Sequence, residues 1–212
     1  MGYYRDLFIR PKQAVLYALQ NPSMIRALGF VLLGTVAGIL SSLLFVGQIF
    51  FDSVVLFLIA DVSRWLVGGI VLLLLGLLFR GIPVNPLNIS RALSVLAQIN
   101  LYGFLMYLIL GILLPAIVIP DLISASNQLS NDVIGPDEYG EILAASLATS
   151  DGSILLALPL ILIAVLLVLY SIYVLFLSTQ KYLDVTVFKS IVAMFIMLIV
   201  QSIFIIIMGG GL

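Results

Sequence analysis

The stretch ILLALPLILIAVLLVLYSIYVLFLS, residues Ile154–Ser178, runs for 25 residues without a charged side chain. A helix of that length rises about 37 Å, at ~1.5 Å per residue. The hydrocarbon core of a bilayer is about 30 Å thick. The stretch therefore predicts a helix that crosses a membrane.

Four further apolar stretches can reach the length of about 20 residues that a spanning helix needs. One of them, Leu66–Phe79, has only 14 residues, so we extend its helix backwards through Arg64 and Asp61. This places the Asp61–Arg64 pair near the far end of the second span, at the membrane interface. The predicted spans are residues 27–51, 58–79, 92–119, 154–178 and 187–208.

The composition agrees with this class of protein. Of 212 residues, 63% are hydrophobic and only 19 are charged, nine Lys or Arg and ten Asp or Glu, whereas soluble domains carry about 25% charged residues. The chain has no Cys and no His, which removes thiolate and imidazole metal ligands and catalytic thiols. No serine-hydrolase, P-loop or dinucleotide-binding motif is present. We therefore predict a non-enzymatic protein without cofactor, metal or catalytic residues, and the net charge of −1 gives no basic patch for nucleic acid.

The distribution of Lys and Arg predicts the topology. From the N-terminus onwards, the six segments that flank the five spans carry 4, 1, 2, 0, 2 and 0 basic residues, when Arg64 and Lys189 at the span ends are counted with the connections beside them. The positive-inside rule then places the N-terminus inside and the C-terminus outside. The fold class is thus all-α, a polytopic bundle of five transmembrane helices. Its short loops favour a prokaryotic cytoplasmic membrane, and we expect no cleavable signal peptide because the first long apolar run suits a span better.

Two segments outside the spans have a character of their own. Residues 1–26 form a cytoplasmic amphipathic segment, in which Pro11–Gln20 is predicted to be a short interfacial helix with Pro at its first position. Residues 120–153 form an acidic external loop with six carboxylates and no basic residue; a helix is predicted from Pro136 to Thr149. The loop is either solvated or a weak cation site, for which Asp132, Asp137, Glu138 and Glu141 are the oxygen ligands. Residues 27–212 form a single transmembrane domain.

Small residues on the first span predict close helix packing. Gly34 and Gly38 form a GxxxG motif, and Ser42 continues the stripe. Such a stripe lets a neighbouring backbone approach closely. The neighbour is either another helix of the same bundle or a second copy of the chain.

Polar side chains inside the spans are the candidate functional residues. Ser94, Gln98 and Tyr102 are spaced four apart on the third span. They form either hydrogen bonds between helices or a polar pathway between the third and fourth spans. The remaining candidates are Asn100, Tyr107 and Gln201.

Asp61 and Arg64 are three residues apart and therefore share a helix face. They form either an interfacial anchor, in which the Arg side chain reaches towards the headgroups, or a gate. Trp65 beside them suits an aromatic belt at the interface.

Two sequence segments resemble the prokaryotic branch of the Yip-domain (Ypt/Rab-interacting-protein-like) membrane family. They are FIRPKQAVLYALQNPS (Phe8–Ser23), with its Pro11-Lys12-Gln13-Ala14 lead, and SRALSVLAQINLYG (Ser90–Gly103). The DLYGP-like motif of eukaryotic members is missing around the first span. The resemblance implies a non-enzymatic integral membrane protein of membrane organisation or assembly, and it carries over no binding residue.

Two functions from different classes follow. The first is an integral membrane protein that organises membranes or binds partners as an assembly subunit, with the lipid bilayer and other membrane subunits or its own copies as partners. The alternative is a small permease or lipid or solute channel that uses the polar residues of the third and fourth spans.

The predicted topology can be tested by labelling, since the chain lacks Cys. In intact cells, an impermeant thiol reagent should label a Glu141→Cys variant and leave a Thr186→Cys variant unlabelled until the membrane is opened. Labelling of both variants, or the reverse pattern, would contradict the predicted orientation.

Overall fold

The computed structural model describes residues 2–45, 51–118, 121–131, 133–148 and 151–209. Every regular element within them is helical, which confirms the predicted all-α class. The N-terminal helices are α1 (Gly2–Ile9), α2 (Pro11–Gln20) and α3 (Met24–Phe45). Next come α4 (Phe51–Arg80), α5 (Pro86–Tyr107), a π-helical segment (Leu108–Leu113) and α6 (Leu114–Val118). The remaining helices are α7 (Leu122–Ser130), α8 (Pro136–Ala148), α9 (Asp151–Leu183) and α10 (Val187–Gly209).

Five helical stretches in the described part of the chain are long and apolar enough to cross a membrane, as predicted. They are Met24–Leu44, Val54–Arg80, Pro86–Ile117, Ala157–Leu183 and Val187–Phe204. The largest differences from the predicted bounds are at three helix ends. Phe51 opens α4 instead of ending the first span, α5 begins at Pro86, six residues before Ala92, and α9 continues to Leu183. Hydrophobicity alone does not predict these helix ends, because a helix can continue through polar residues whose side chains find hydrogen-bond partners.

The segments outside the spans are more helical than predicted. Helix α2 has the predicted bounds, whereas α1 was not predicted. The acidic loop contains α8, close to its predicted range, and also α7. Ser126 Oγ and Tyr139 Oη lie 3.4 Å apart and join these two helices. Asp132 and Thr149 lie outside the described residues.

Helix α5 continues into α6 through the π-helical segment, and Pro115 explains the irregularity. A proline has no N–H, so the carbonyl of Gly111 loses its usual partner four residues on. The Leu114 N–H instead bonds the carbonyl of Ile109, five residues back. The wider turn therefore keeps the third span continuous across the proline.

By its contacts the chain divides into two compact units. Unit 1 comprises Met1–Leu33, Leu58–Leu101 and Tyr170–Leu212, and unit 2 comprises Gly34–Phe57 and Tyr102–Leu169. The amphipathic N-terminal segment thus belongs to the same unit as much of α4, α5, α9 and α10.

Glycines set the distance between α4 and α5 in unit 1. A Cβ atom at Gly69 would overlap the Leu93 side chain, and one at Gly68 would overlap the amide of Gln201 on α10. Both neighbours are therefore as close as glycine permits. Ala92 and Ala97 on α5 are buried as well, so small residues line both helices.

The connections that follow α4 and α9 meet at one end of unit 1. Gly81 (φ 64°) and Asp184 (φ 49°) are left-handed residues directly after these helices, the conformation that commonly ends a helix. Arg80 Nη2 lies 2.8 Å from Asp184 Oδ2, and the Tyr182 hydroxyl donates to the carbonyl of Asn88 over 3.2 Å. The two hairpins, α4–α5 and α9–α10, are thus tied together where their chains reverse.

Replacing Gly69 should separate α4 from α5. We expect Gly69→Val to lower the free energy of unfolding by about 1–3 kcal/mol, the usual range for overpacking, seen as a lower Tm in detergent. Gly29→Val is the matched control, because no atom outside its own helix turn lies within 4 Å of a Cβ there. Equal Tm values for the two variants would contradict the close approach at Gly69.

Candidate functional site

The Asp61–Arg64 pair forms on the exposed side of α4. Arg64 Nη2 and Asp61 Oδ1 are 2.5 Å apart, and the Asp61 side chain is 12% exposed against 47% for Arg64. The pair was expected near the end of a span. In the structure Asp61 lies about 10 Å from the start of the candidate span Val54–Arg80, at ~1.5 Å per residue, and the interfacial depth of the pair stays a prediction. Mutual neutralisation lets the helix carry both groups at this position.

Trp65 lies in the core of unit 1, whereas an interfacial aromatic belt was expected. It is buried, and its indole N–H donates to the carbonyl of Leu93 over 2.8 Å. The contact is possible because Gly69, one turn later, admits α5 so closely. A buried indole needs such an acceptor, and the α5 backbone supplies it.

Gln201 joins the neighbourhood of the ion pair, an arrangement that the sequence did not predict. Its Nε2 donates to the carbonyl of Arg64 over 3.4 Å and occupies the space that a side chain at position 68 would fill. Asp61, Arg64, Trp65, Gly68 and Gln201 therefore form one group of residues around α4. It joins α4 to α10 through an amide and to α5 through an indole.

The polar stripe of α5 is buried along its first turns. Ser94 and Gln98 are both buried in unit 1, and Ser94 Oγ accepts a hydrogen bond of 3.0 Å from the Ser23 N–H. Tyr102, which belongs to unit 2, is buried too. Asn100 is half-buried and Tyr107 is exposed, so the six polar candidates do not share one environment.

The N-terminal hairpin, defined as α1 and α2, is fixed to unit 1 through its own backbone carbonyls. The Tyr170 hydroxyl on α9 lies 2.9 Å from the carbonyl oxygen of Leu7 and 2.8 Å from that of Phe8. Arg91 Nε on α5 donates to the carbonyl of Leu19 over 3.0 Å. These carbonyls lie in the last turns of α1 and α2, where the helix itself provides no donor. The hairpin therefore docks by capping two helix ends.

Arg26 closes the hairpin from the start of α3. Its guanidinium lies 4.5 Å from the ring centre of Tyr3 and 5.2 Å from that of Tyr17, and Nη2 donates to the carbonyl of Asn21 over 2.6 Å. Burial raises the pKa of Tyr3 to about 12, although the positive charge of Arg26 opposes the rise. The phenol is therefore neutral at physiological pH, and the contact is a cation–π interaction.

The GxxxG stripe has a neighbour within unit 2. A Cβ atom at Gly38 would lie 2.7 Å from Cδ2 of Phe57 on α4. Gly34 and Ser42 are only half-buried. At Gly38 the small residue thus accommodates an aromatic ring of the same chain.

Among the described residues, no three Asp or Glu side chains are placed so that they could hold a metal ion. In comparisons with family models, curated proteins and solved structures, nothing matches this chain.

Removing one partner of the Asp61–Arg64 pair should destabilise the protein more than removing both. Asp61→Asn leaves an arginine charge within the span, whereas Asp61→Leu combined with Arg64→Leu leaves none. We expect the single variant to have the lower Tm in detergent.

The control for this comparison is Arg80→Gln. It also breaks an ion pair, but Asp184 is 83% exposed, so water solvates the remaining charge and the Tm should change little. A double variant at least as unstable as Asp61→Asn would show that the ion pair itself stabilises the fold.

Proposed function

We propose that this chain is a non-enzymatic integral membrane protein that acts in membrane organisation or as an assembly subunit, with the N-terminal hairpin as its contact surface. One observation carries the proposal. The hairpin buries Leu7, Ala14 and Val15, while its outer surface exposes basic and apolar side chains together. These are Tyr4, Arg5, Phe8, Ile9, Arg10 and Lys12.

The mixed character of this outer surface suits an anionic membrane surface. Aromatic and aliphatic side chains lie well at headgroup depth, and Arg and Lys attract anionic headgroups. Each basic residue near such a surface contributes about 1 kcal/mol. The hydrogen bonds from Tyr170 and Arg91 hold the hairpin in place, so little ordering entropy opposes binding.

An apolar face of α10 supports the assembly role. Phe195, Ile199, Ile203 and Ile206 are each more than half exposed and follow one another at helical spacing. Ala193 and Met197 on the same helix are buried, so α10 packs on unit 1 by one side only. Lipid or an apolar helix of a partner subunit suits the other side.

Purification in a mild detergent, followed by mass spectrometry of the native complex, tests this function. We expect reproducible partner subunits or additional copies of the chain. A lone, monodisperse chain that carries a measurable solute flux in liposomes would overturn the proposal in favour of a permease.

The hairpin surface has a test of its own. Arg10→Gln with Lys12→Gln should lower the apparent affinity for added phosphatidylglycerol roughly tenfold to thirtyfold, from two contributions of about 1 kcal/mol each. Native mass spectrometry can measure the bound lipid.

The matched control is Lys181→Gln with Lys189→Gln, which also removes two positive charges from unit 1. This variant should keep most of the affinity. An equal loss in both variants would show that the net charge, and not the hairpin surface, determines lipid binding.

A further inference from the structure

Tyr170 marks the middle of the fourth candidate span. This span runs from Ala157 to Leu183, and Tyr170 lies halfway between them, about 20 Å from either end at ~1.5 Å per residue. The hydrocarbon core of a bilayer is about 30 Å thick, which corresponds to about 20 residues of helix. A core of that thickness contains Tyr170 wherever it is placed within the span.

The closed end of the N-terminal hairpin lies against this tyrosine. The Tyr170 hydroxyl is 2.9 Å from the carbonyl oxygen of Leu7 and 2.8 Å from that of Phe8, in the last turn of α1. Arg10 follows at once and separates α1 from α2. The turn of the hairpin therefore lies at the depth of Tyr170.

The other end of the hairpin lies much nearer to the membrane edge. Arg91, which donates to the carbonyl of Leu19 near the end of α2, is about 8 Å from the start of α5 at ~1.5 Å per residue. The start of α5 and the end of α9 are at one level, since Tyr182 bonds the carbonyl of Asn88. The two anchors of the hairpin, Arg91 and Tyr170, thus differ in depth by about 12 Å. Helix α2 has ten residues and a length of about 15 Å, which is enough to connect the two depths.

Two cations lie at the closed end. Arg10 and Lys12 are exposed, and within the described part of the chain no carboxylate forms an ion pair with either. A cation in hydrocarbon is strongly unfavourable, and reaching towards the nearer surface covers only part of this depth. The position becomes favourable when the bilayer thins locally and brings headgroups and water to the charge.

We infer that the N-terminal hairpin is re-entrant and binds a lipid phosphate inside the membrane. It enters beside α5 and α9, turns at Arg10 within the hydrocarbon depth, and holds there the phosphate of an anionic phospholipid that is drawn below the level of the other headgroups. The guanidinium of Arg10 suits a phosphate because its N–H groups can bond two oxygens at once. Lys12 adds a second positive charge, and the exposed Phe8 and Ile9 suit the acyl chains.

The lipid part of this inference rests on the proposed contact between the hairpin and anionic lipid, whereas the depth of the hairpin does not. A leaflet that is thinned beside the hairpin gives the proposed role in membrane organisation a physical form. The surface of the bilayer would bend inwards at each copy of the chain.

Fluorescence quenching in vesicles of equal parts phosphatidylcholine and phosphatidylglycerol tests the depth. The chain has no Cys, so a fluorophore can be attached to Ile9→Cys, Ile199→Cys or Phe188→Cys, all three at exposed positions. Ile199 is about 18 Å from the start of α10, at ~1.5 Å per residue, whereas Phe188 lies at that start. A phospholipid with a nitroxide near the end of its acyl chain should quench the label at Ile9 as strongly as that at Ile199, and much more than that at Phe188. Quenching at Ile9 that matches Phe188 would place the hairpin on the membrane surface and overturn the inference.

A second quencher tests the bound phosphate, namely an anionic phospholipid whose headgroup carries the nitroxide. It should quench the label at Ile9 more strongly than the label at Ile199, although both lie deep. Adding Arg10→Gln and Lys12→Gln to Ile9→Cys should abolish this excess and leave the quenching by the acyl-chain nitroxide unchanged.

The matched control for the charge change adds Lys181→Gln and Lys189→Gln to Ile9→Cys, and it should keep the excess. Headgroup quenching at Ile9 no stronger than at Ile199, or an equal loss in both charge variants, would overturn the phosphate site. Failure of the proposed function is read separately, from the subunits that copurify with the chain, and it would leave the acyl-chain quenching at Ile9 unaltered.

Discussion

The close approach of α4 and α5 at Gly68 and Gly69 is the constraint on which the rest of unit 1 depends. It brings the α5 backbone within reach of the Trp65 indole and leaves room for the Gln201 amide beside α4. Larger side chains at these glycines would move α5, and with α5 the carbonyls to which α4 and α9 donate hydrogen bonds. Because Gly68 and Gly69 have no side chains, the polar groups of the neighbouring helices can meet in this part of the unit.

Several hydrogen bonds between the helices of unit 1 share one form, a side-chain donor on a main-chain carbonyl. Trp65, Ser178 and Tyr182 donate to carbonyls of α5 at Leu93, Val95 and Asn88. A helical carbonyl has two lone pairs, so it can accept such a bond while keeping its helical one. The helices are therefore linked without any loss of their internal hydrogen bonds, which matters where water is scarce. The N-terminal half of α5 accepts bonds from both α4 and α9 and is the common element of the unit.

Structural features that depend on the length of an apolar stretch can be predicted from the sequence, whereas features that depend on one long-range contact cannot. The five apolar stretches and α2 have strong local signals, namely uncharged runs and a proline at the first helical position. Helix α1 has no such signal, since its eight residues include Arg5 and Asp6 and it is stabilised at its end by Tyr170, more than 160 residues away. Trp65 likewise lies in the core because its indole reaches the carbonyl of Leu93, a long-range contact that no local pattern encodes. The Asp61–Arg64 pair, in contrast, follows from local spacing, since residues three apart share a helix face.

The N-terminal hairpin connects two polar regions of unit 1, namely its own outer surface and the polar face of α5. The outer surface of the hairpin carries exposed basic side chains, whereas the Leu19–Ser23 segment contacts Arg91 and Ser94 on α5. Gln98 follows on the same helix face, one turn beyond Ser94. The two bonds at Arg91 and Ser94 thus fix α5 within one helix turn of Gln98, its one fully buried amide.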